Sequence, residues 1–119
     1  METFIPEEYI PDLRTRVEAY RRLTGCRTLG ELAEAERECA DRFGPPPRPV
    51  DGFVRTLRIR ILAARWNFAS VARGHEGIVI KFRDRKKAEE LRKRDPRAVR
   101  IVDGETILIV DRDPADLLK

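Results

Sequence analysis

Five charged residues recur along one predicted helix and are the strongest candidates for binding chemistry: Glu31, Glu34, Glu38, Asp41 and Arg42. At about 100° of rotation per residue they share one side of the helix, opposite Leu32, Cys39 and Phe43. Carboxylates beside a guanidinium offer hydrogen-bond acceptors and a bidentate donor, which suit an arginine-rich polar protein surface. An ordinary solvated helix face has the same composition, so both interpretations stand on composition alone.

Residue types that support catalysis or metal binding are scarce. Cys26, Cys39 and His75 cannot supply the four ligands of a structural zinc site, and we expect the two cysteines to be free thiols. Ser70 lacks the glycines of a nucleophile elbow, no Walker-type phosphate loop occurs, and His75 lies in a predicted hairpin turn without a catalytic partner. We therefore predict that this chain is not an enzyme and binds no cofactor or metal.

A basic segment, Arg85–Arg94, raises the alternative of a nucleic-acid-binding module, together with the helical arginines Arg55, Arg58, Arg60 and Arg65. Lysine and arginine contacts to phosphates would give sequence-independent, salt-sensitive binding. Glu89, Glu90 and Asp95 interrupt the segment, however, and no aromatic residues are interleaved with it to stack on bases. We prefer a solvated basic face and keep DNA contact as the alternative.

Length and charge indicate one small domain over residues 1–119 with a single modest core. The 25 lysines and arginines are largely offset by 21 aspartates and glutamates, which leaves a net charge of +4 and a mixed-charge surface. No apolar run approaches the roughly 20 residues that a membrane span requires, and the start lacks the layout of a signal peptide. We expect a cytoplasmic monomer.

Three helices are predicted to position the charged face. Asp12 caps the first, in which Leu13, Val17, Tyr20 and Leu23 recur at helical spacing. In the second, Thr28 and Glu31 form a capping box in which the carboxylate of Glu31 reaches back to the amide of Thr28. That helix ends at Phe43 because Gly44 and a proline-rich stretch follow, and the third runs from about Pro49 to Trp66.

From Phe68 onward the apolar spacing changes to two. Segments 70–73 and 78–82 predict one hairpin, and segments 99–102 and 106–110 predict a second. A helix over Arg85–Arg94, capped by Asp84, separates the hairpins, and Asp113 starts a last short helix. The fold class is therefore α+β, with three N-terminal helices packed on a ββαββ half that holds an antiparallel sheet.

Two distinctive runs lie in the first half of the chain. One is Glu38-x-x-Asp41-Arg42-Phe43-Gly44-Pro45-x-Pro47-x-Pro49, and the other is Ile5-Pro6-Glu7-Glu8-Tyr9-Ile10-Pro11-Asp12, followed by Arg16 and Tyr20-Arg21-Arg22-Leu23. They resemble the ELIDRFGPLPEPV-like signature and the IPxxYIPD…RLELYKRL run in the C-terminal domain of the bacterial transcription-repair coupling factors. The resemblance covers about the first two thirds of the chain. Residues 1–11 then read as an extended lead-in from the preceding domain of a longer parent chain.

The resemblance implies a function for that parent and for this domain. The parent would be an ATP-dependent DNA translocase that displaces stalled RNA polymerase and recruits nucleotide excision repair through UvrA. This domain would dock onto the parent's own UvrB-like module through the equivalents of Glu38, Asp41 and Arg42, and so hide the surface that binds UvrA. The motor motifs lie outside this segment, so the segment itself is expected to be regulatory, with DNA binding weak or absent. A purely structural cap on the motor is a further possibility.

Overall fold

The computed structural model describes residues 4–119 and confirms the predicted α+β class. Residues up to Arg58 form one compact unit, and residues from Ile59 onward form a second. The first unit contains α1 (Leu13–Thr24), α2 (Leu29–Phe43) and the first half of α3 (Arg48–Arg65). The second contains the end of α3, all four strands and two short helices.

The predicted caps fix where α1 and α2 begin. The Asp12 carboxylate accepts a hydrogen bond from the amide of Thr15 at 2.9 Å, and the Thr28 hydroxyl accepts one from the amide of Glu31 at 3.1 Å. The second half of the capping box differs from the prediction. The Glu31 carboxylate accepts from the amide of Arg27 at 2.8 Å, one residue before Thr28. Both bonds still satisfy amides that no helical carbonyl can reach.

The core of the first unit lies between its three helices and includes Leu23, Leu32, Ala35, Val50 and Val54. The apolar stripe predicted for α1 is wrong at its start, because Leu13 and Val17 are 65% and 39% exposed. The buried residues of α1 are Ala19 and Leu23, so the side of the helix that carries these two residues faces the core. Tyr20 lies at the edge of this core, with its ring 5.3 Å from that of Phe53 in an edge-to-face contact.

The segment before α1 is predicted to be extended. In the structure it turns at residues 7–9. The amides of Tyr9 and Ile10 both donate to the carbonyl of Pro6. Ile10 is buried, and the Tyr9 hydroxyl donates to the carbonyl of Gly44 at 2.8 Å. Gly44 has φ +90°, a conformation that favours glycine. The hydrogen bond from Tyr9 to the carbonyl of Gly44 fastens the lead-in to the end of α2. The first three residues of the predicted lead-in lie outside the described residues.

The second unit is built around a four-stranded antiparallel sheet. Its strands are β1 (Ser70–Arg73), β2 (Ile78–Lys81), β3 (Val99–Ile101) and β4 (Thr106–Ile109), with the helices α4 (Arg85–Arg94) and α5 (Pro114–Leu118). The strand order is β1-β2-β4-β3, so the two predicted hairpins join through β2 and β4, where Ile80 is paired with Ile107. Both residues are fully buried, which places the core of this unit along the central strands.

The end of α3 is held to α5. Asn67 follows α3 with φ +58°, the left-handed conformation that asparagine tolerates better than most residues. The indole Nε1 of Trp66 donates to the carbonyl of Leu118 at 2.8 Å, and Leu117 and Leu118 are both buried. The last helix is therefore an integral part of the second unit.

Candidate protein-interaction surface on α2

All five candidate residues, Glu31, Glu34, Glu38, Asp41 and Arg42, are exposed on α2. The helix beneath them is anchored through Leu32 and Ala35, which are 1% and 0% exposed. Because α2 is capped at its start and fastened through Tyr9 at its end, its charged side chains start from a fixed backbone. Such a surface can offer a preorganised set of charges to another protein.

Glu38 is exposed but pairs with a residue of α1. Its carboxylate accepts from Arg22 Nε at 3.2 Å and from Arg22 Nη2 at 3.4 Å, and both side chains remain about half exposed. The hydrogen bond that Arg22 donates to Glu38 raises the pKa of Arg22 above its ordinary value. No local pattern predicts this ion pair, because the two residues are 16 positions apart and on different helices.

The remaining residues divide by role. Glu31 is engaged at the N-terminus of α2 with the amide of Arg27, whereas Glu34, Asp41 and Arg42 make up what we call the outer face. Within residues 4–119, no hydrogen bond or ion pair engages the carboxylates of Glu34 and Asp41. The Arg42 guanidinium lies 4.8 Å from the centre of the Phe43 ring, a cation–π contact that orients it. The outer face thus presents two carboxylates and one oriented guanidinium.

A shallow cleft of about 190 Å³ separates α1 from α2, with Arg22, Glu38, Cys39 and Arg42 among its lining residues. Burial raises the pKa of the Cys39 thiol, and the neighbouring charge of Glu38 raises it further. Burial also raises the pKa of the Cys26 thiol. Both cysteines are free, and both are protonated at neutral pH, which is the unreactive form of the side chain. The cleft therefore offers hydrogen bonding and charge but no activated nucleophile.

Several residues of the alternative nucleic-acid site make contacts within the fold. Glu89 accepts from Arg92 at 2.6 Å and lies 3.7 Å from Arg85, so α4 offsets part of its own charge. Arg94 stacks on the ring of Trp66 at 4.6 Å and donates to the carbonyl of Leu117. On α3, Arg60 and Arg65 are exposed, whereas Arg58 pairs with Glu36 at 3.2 Å. His75 is exposed in the turn between β1 and β2.

Two further observations concern the chain as a whole. Among residues 4–119, no cluster of histidine, cysteine, aspartate or glutamate side chains has the arrangement needed to hold a metal ion. None of the described helices has both the length and the apolar character required to cross a membrane.

Comparison with known proteins places these features in a family. The model of the TRCF domain family matches residues 1–92. The transcription-repair-coupling factor of Escherichia coli is 32% identical over 85 residues, which cover 71% of this chain and 7% of that protein. The protein of the same name from Bacillus subtilis is 24% identical over 89 residues, or 75% of this chain and 8% of that protein. The chain therefore spans less than a tenth of these relatives.

The fold has a counterpart among solved structures. A crystal structure of the C-terminal domain of transcription-repair coupling factor superposes with a TM-score of 0.79 at 18% identity, covering 99% of this chain and 84% of that one. At that identity the likeness speaks for the fold alone. The family follows from the sequence: because the family model covers residues 1–92 of 119, this chain belongs to the TRCF domain family.

Proposed function

We propose that this chain is the C-terminal regulatory domain of a transcription-repair coupling factor and acts as a reversible clamp. The outer face of α2, together with Glu38, docks onto the UvrB-like module of the same parent chain, and Glu31 holds the start of the helix. The observation that supports this most strongly is that a firmly anchored helix in a TRCF-family chain carries Asp41 and Arg42 at exposed positions.

The polar character of the outer face suits a contact that must open. Tethering within one chain raises the effective concentration of the docking partner, so a modest interface keeps the closed state dominant. A bias of roughly 2–3 kcal/mol leaves an open population of about 1% that other contacts can enlarge. A large apolar interface would be harder to release.

The activity that the clamp would control belongs to the parent chain. We propose a cytoplasmic, ATP-dependent DNA translocase that displaces stalled RNA polymerase and recruits nucleotide excision repair through UvrA. In this scheme residues 1–119 form one monomeric domain without ATP hydrolysis of its own. Docking hides the surface that binds UvrA, and release of the clamp exposes it.

Charge reversal tests the proposal in the full-length parent. We expect Asp41→Arg combined with Arg42→Glu to increase UvrA affinity about tenfold, which corresponds to the loss of about 1.4 kcal/mol of closed-state bias. The matched control is Glu90→Arg combined with Arg92→Glu, which makes the same charge changes on exposed positions of α4. Unchanged UvrA affinity in the α2 variant, with its melting temperature preserved, would contradict the clamp.

A further inference from the structure

We infer that a groove between α2 and the first half of α3 binds a protein segment in which a bulky apolar side chain is flanked by carboxylates. We call it the α2–α3 groove. This second contact lies away from the outer face. It requires an acidic partner, whereas the outer face suits an arginine-rich one. It therefore goes beyond the clamp proposed above and stands or falls separately.

The floor of the groove is apolar and unfilled. It has a volume of about 310 Å³ and is lined on α2 by small side chains, Ala33, Cys39 and Ala40, which face Val50 and Val54 of α3. Ala33 and Ala40 lie two turns apart on α2, and their small side chains leave space that larger aliphatic side chains would occupy. A cavity of this size lies at the lower end of the range that proteins use to bind small ligands, and it fits one large side chain.

The rim of the groove is rich in arginine. An adjoining cleft of about 460 Å³ is lined by Arg48, Arg55 and Arg58 of α3. The cleft and the groove share Glu36, Asp51 and Val54, so they form one continuous depression, and Arg37 lines its α2 side. Glu36 is already paired with Arg58 at 3.2 Å.

The charge balance of the rim favours an acidic occupant. Four arginines face two carboxylates, those of Glu36 and Asp51, so the depression carries a net positive charge. Arginine forks bind carboxylates in bidentate pairs. A buried apolar anchor surrounded by polar contacts is the usual arrangement of a binding hot spot. Nucleic acid is the weaker candidate, because the floor offers aliphatic side chains rather than aromatic platforms for bases.

The groove and the outer face are distinct sides of α2. Ala33 and Ala40 line the groove, whereas the residues directly after them, Glu34 and Asp41, belong to the outer face. Consecutive helical residues are about 100° apart, so the two surfaces face different directions. The helix can therefore serve two contacts without competition for the same side chains.

The test uses a fluorescein-labelled peptide with a central phenylalanine flanked on both sides by glutamates, titrated with the chain. We expect micromolar binding that is weakened about tenfold by Ala33→Phe, which fills the groove, and similarly by Arg37→Glu combined with Arg48→Glu. Matched controls are Ala64→Phe and Arg14→Glu combined with Arg27→Glu, all at exposed positions outside the groove. The controls should bind as the unmodified chain does.

The competing outcomes are separable. No binding of the peptide, or binding that the groove variants leave unchanged, would overturn the proposal. A labelled DNA duplex that binds instead, with the same sensitivity to Arg37→Glu and Arg48→Glu, would overturn it in favour of a phosphate ligand. Circular dichroism checks folding, and if Ala33→Phe fails to fold, the exposed arginine variants decide alone. The outer-face variant Asp41→Arg should bind the peptide normally, whether or not the clamp exists.

Discussion

Two charged helices of similar appearance, α2 and α4, use their charges in different ways. In α4 the carboxylate of Glu89 offsets Arg85 and Arg92 on the same helix. In α2 the paired carboxylates reach other helices: Glu38 binds Arg22 of α1, and Glu36 binds Arg58 of α3. The comparison teaches that composition does not distinguish a solvated helix from a helix that can dock. What distinguishes the two helices in the structure is where their ion pairs lie: within α4 itself, but between α2 and the neighbouring helices α1 and α3.

Removing the buried anchor of each helix gives the largest effect on stability. Leu32 of α2 and Leu91 of α4 are 1% and 0% exposed. We expect Leu32→Ala and Leu91→Ala each to lower the free energy of unfolding by about 2–5 kcal/mol, because both lose buried contacts and leave cavities. Urea denaturation measures this. A loss below about 1 kcal/mol in either variant would show that the helix is not anchored as described.

The end of α4 offers a smaller effect with its own optical signal. Arg94 stacks on Trp66 and donates to the carbonyls of Leu117 and Lys119 at 2.9 and 2.7 Å. We expect Arg94→Ala to cost about 1–2 kcal/mol and to shift the fluorescence of Trp66, the single tryptophan. Lys93→Ala, at the exposed neighbouring position, is the control and should change neither quantity. If Arg94→Ala and Lys93→Ala had the same stability and fluorescence, the contacts of Arg94 would not hold α4 to the C-terminal segment.

The ion pairs of α2 and α4 should give the smallest effects on stability. A double-mutant cycle with Arg22→Ala and Glu38→Gln should give a coupling energy of about 0.2–1 kcal/mol, as for other half-exposed pairs. The same cycle on Glu89 and Arg92 within α4 should give about 0.2–0.5 kcal/mol. A coupling of zero for Arg22 and Glu38 would mean that Glu38 is as available to a partner as Asp41 is.

Local signals in the sequence predicted much of the fold. Four helices are capped by the short polar residue that precedes them, because its side-chain oxygen accepts a hydrogen bond from a backbone amide of the first turn. These residues are Asp12, Thr28, Asp84 and Asp113. Asn67, after α3, has a positive φ, which asparagine tolerates better than most residues. Where a residue's role depends on its immediate neighbours the prediction mostly holds, although Glu31 accepts from the amide of Arg27 and not from that of Thr28.

Roles set by distant residues could not be predicted in the same way. Leu13 fits the helical spacing of α1 and is nevertheless exposed. The neighbouring helices pack against the side of α1 that carries Ala19 and Leu23. The partnership of Glu38 with Arg22 and the pairing of β2 with β4 also depend on contacts between separate elements. For the candidate site, the sequence identified exposed charges correctly but not which of them the fold itself engages.

The most direct test of the proposed clamp is a calorimetric titration of this chain into the isolated UvrB-like module of the proposed parent. We predict saturable binding that Asp41→Arg combined with Arg42→Glu weakens about tenfold and that the control Glu90→Arg combined with Arg92→Glu leaves intact. Higher salt should weaken the interaction, because exposed charges carry it. Binding that is indifferent to the charges of α2, or absent for the unmodified chain, would contradict the account.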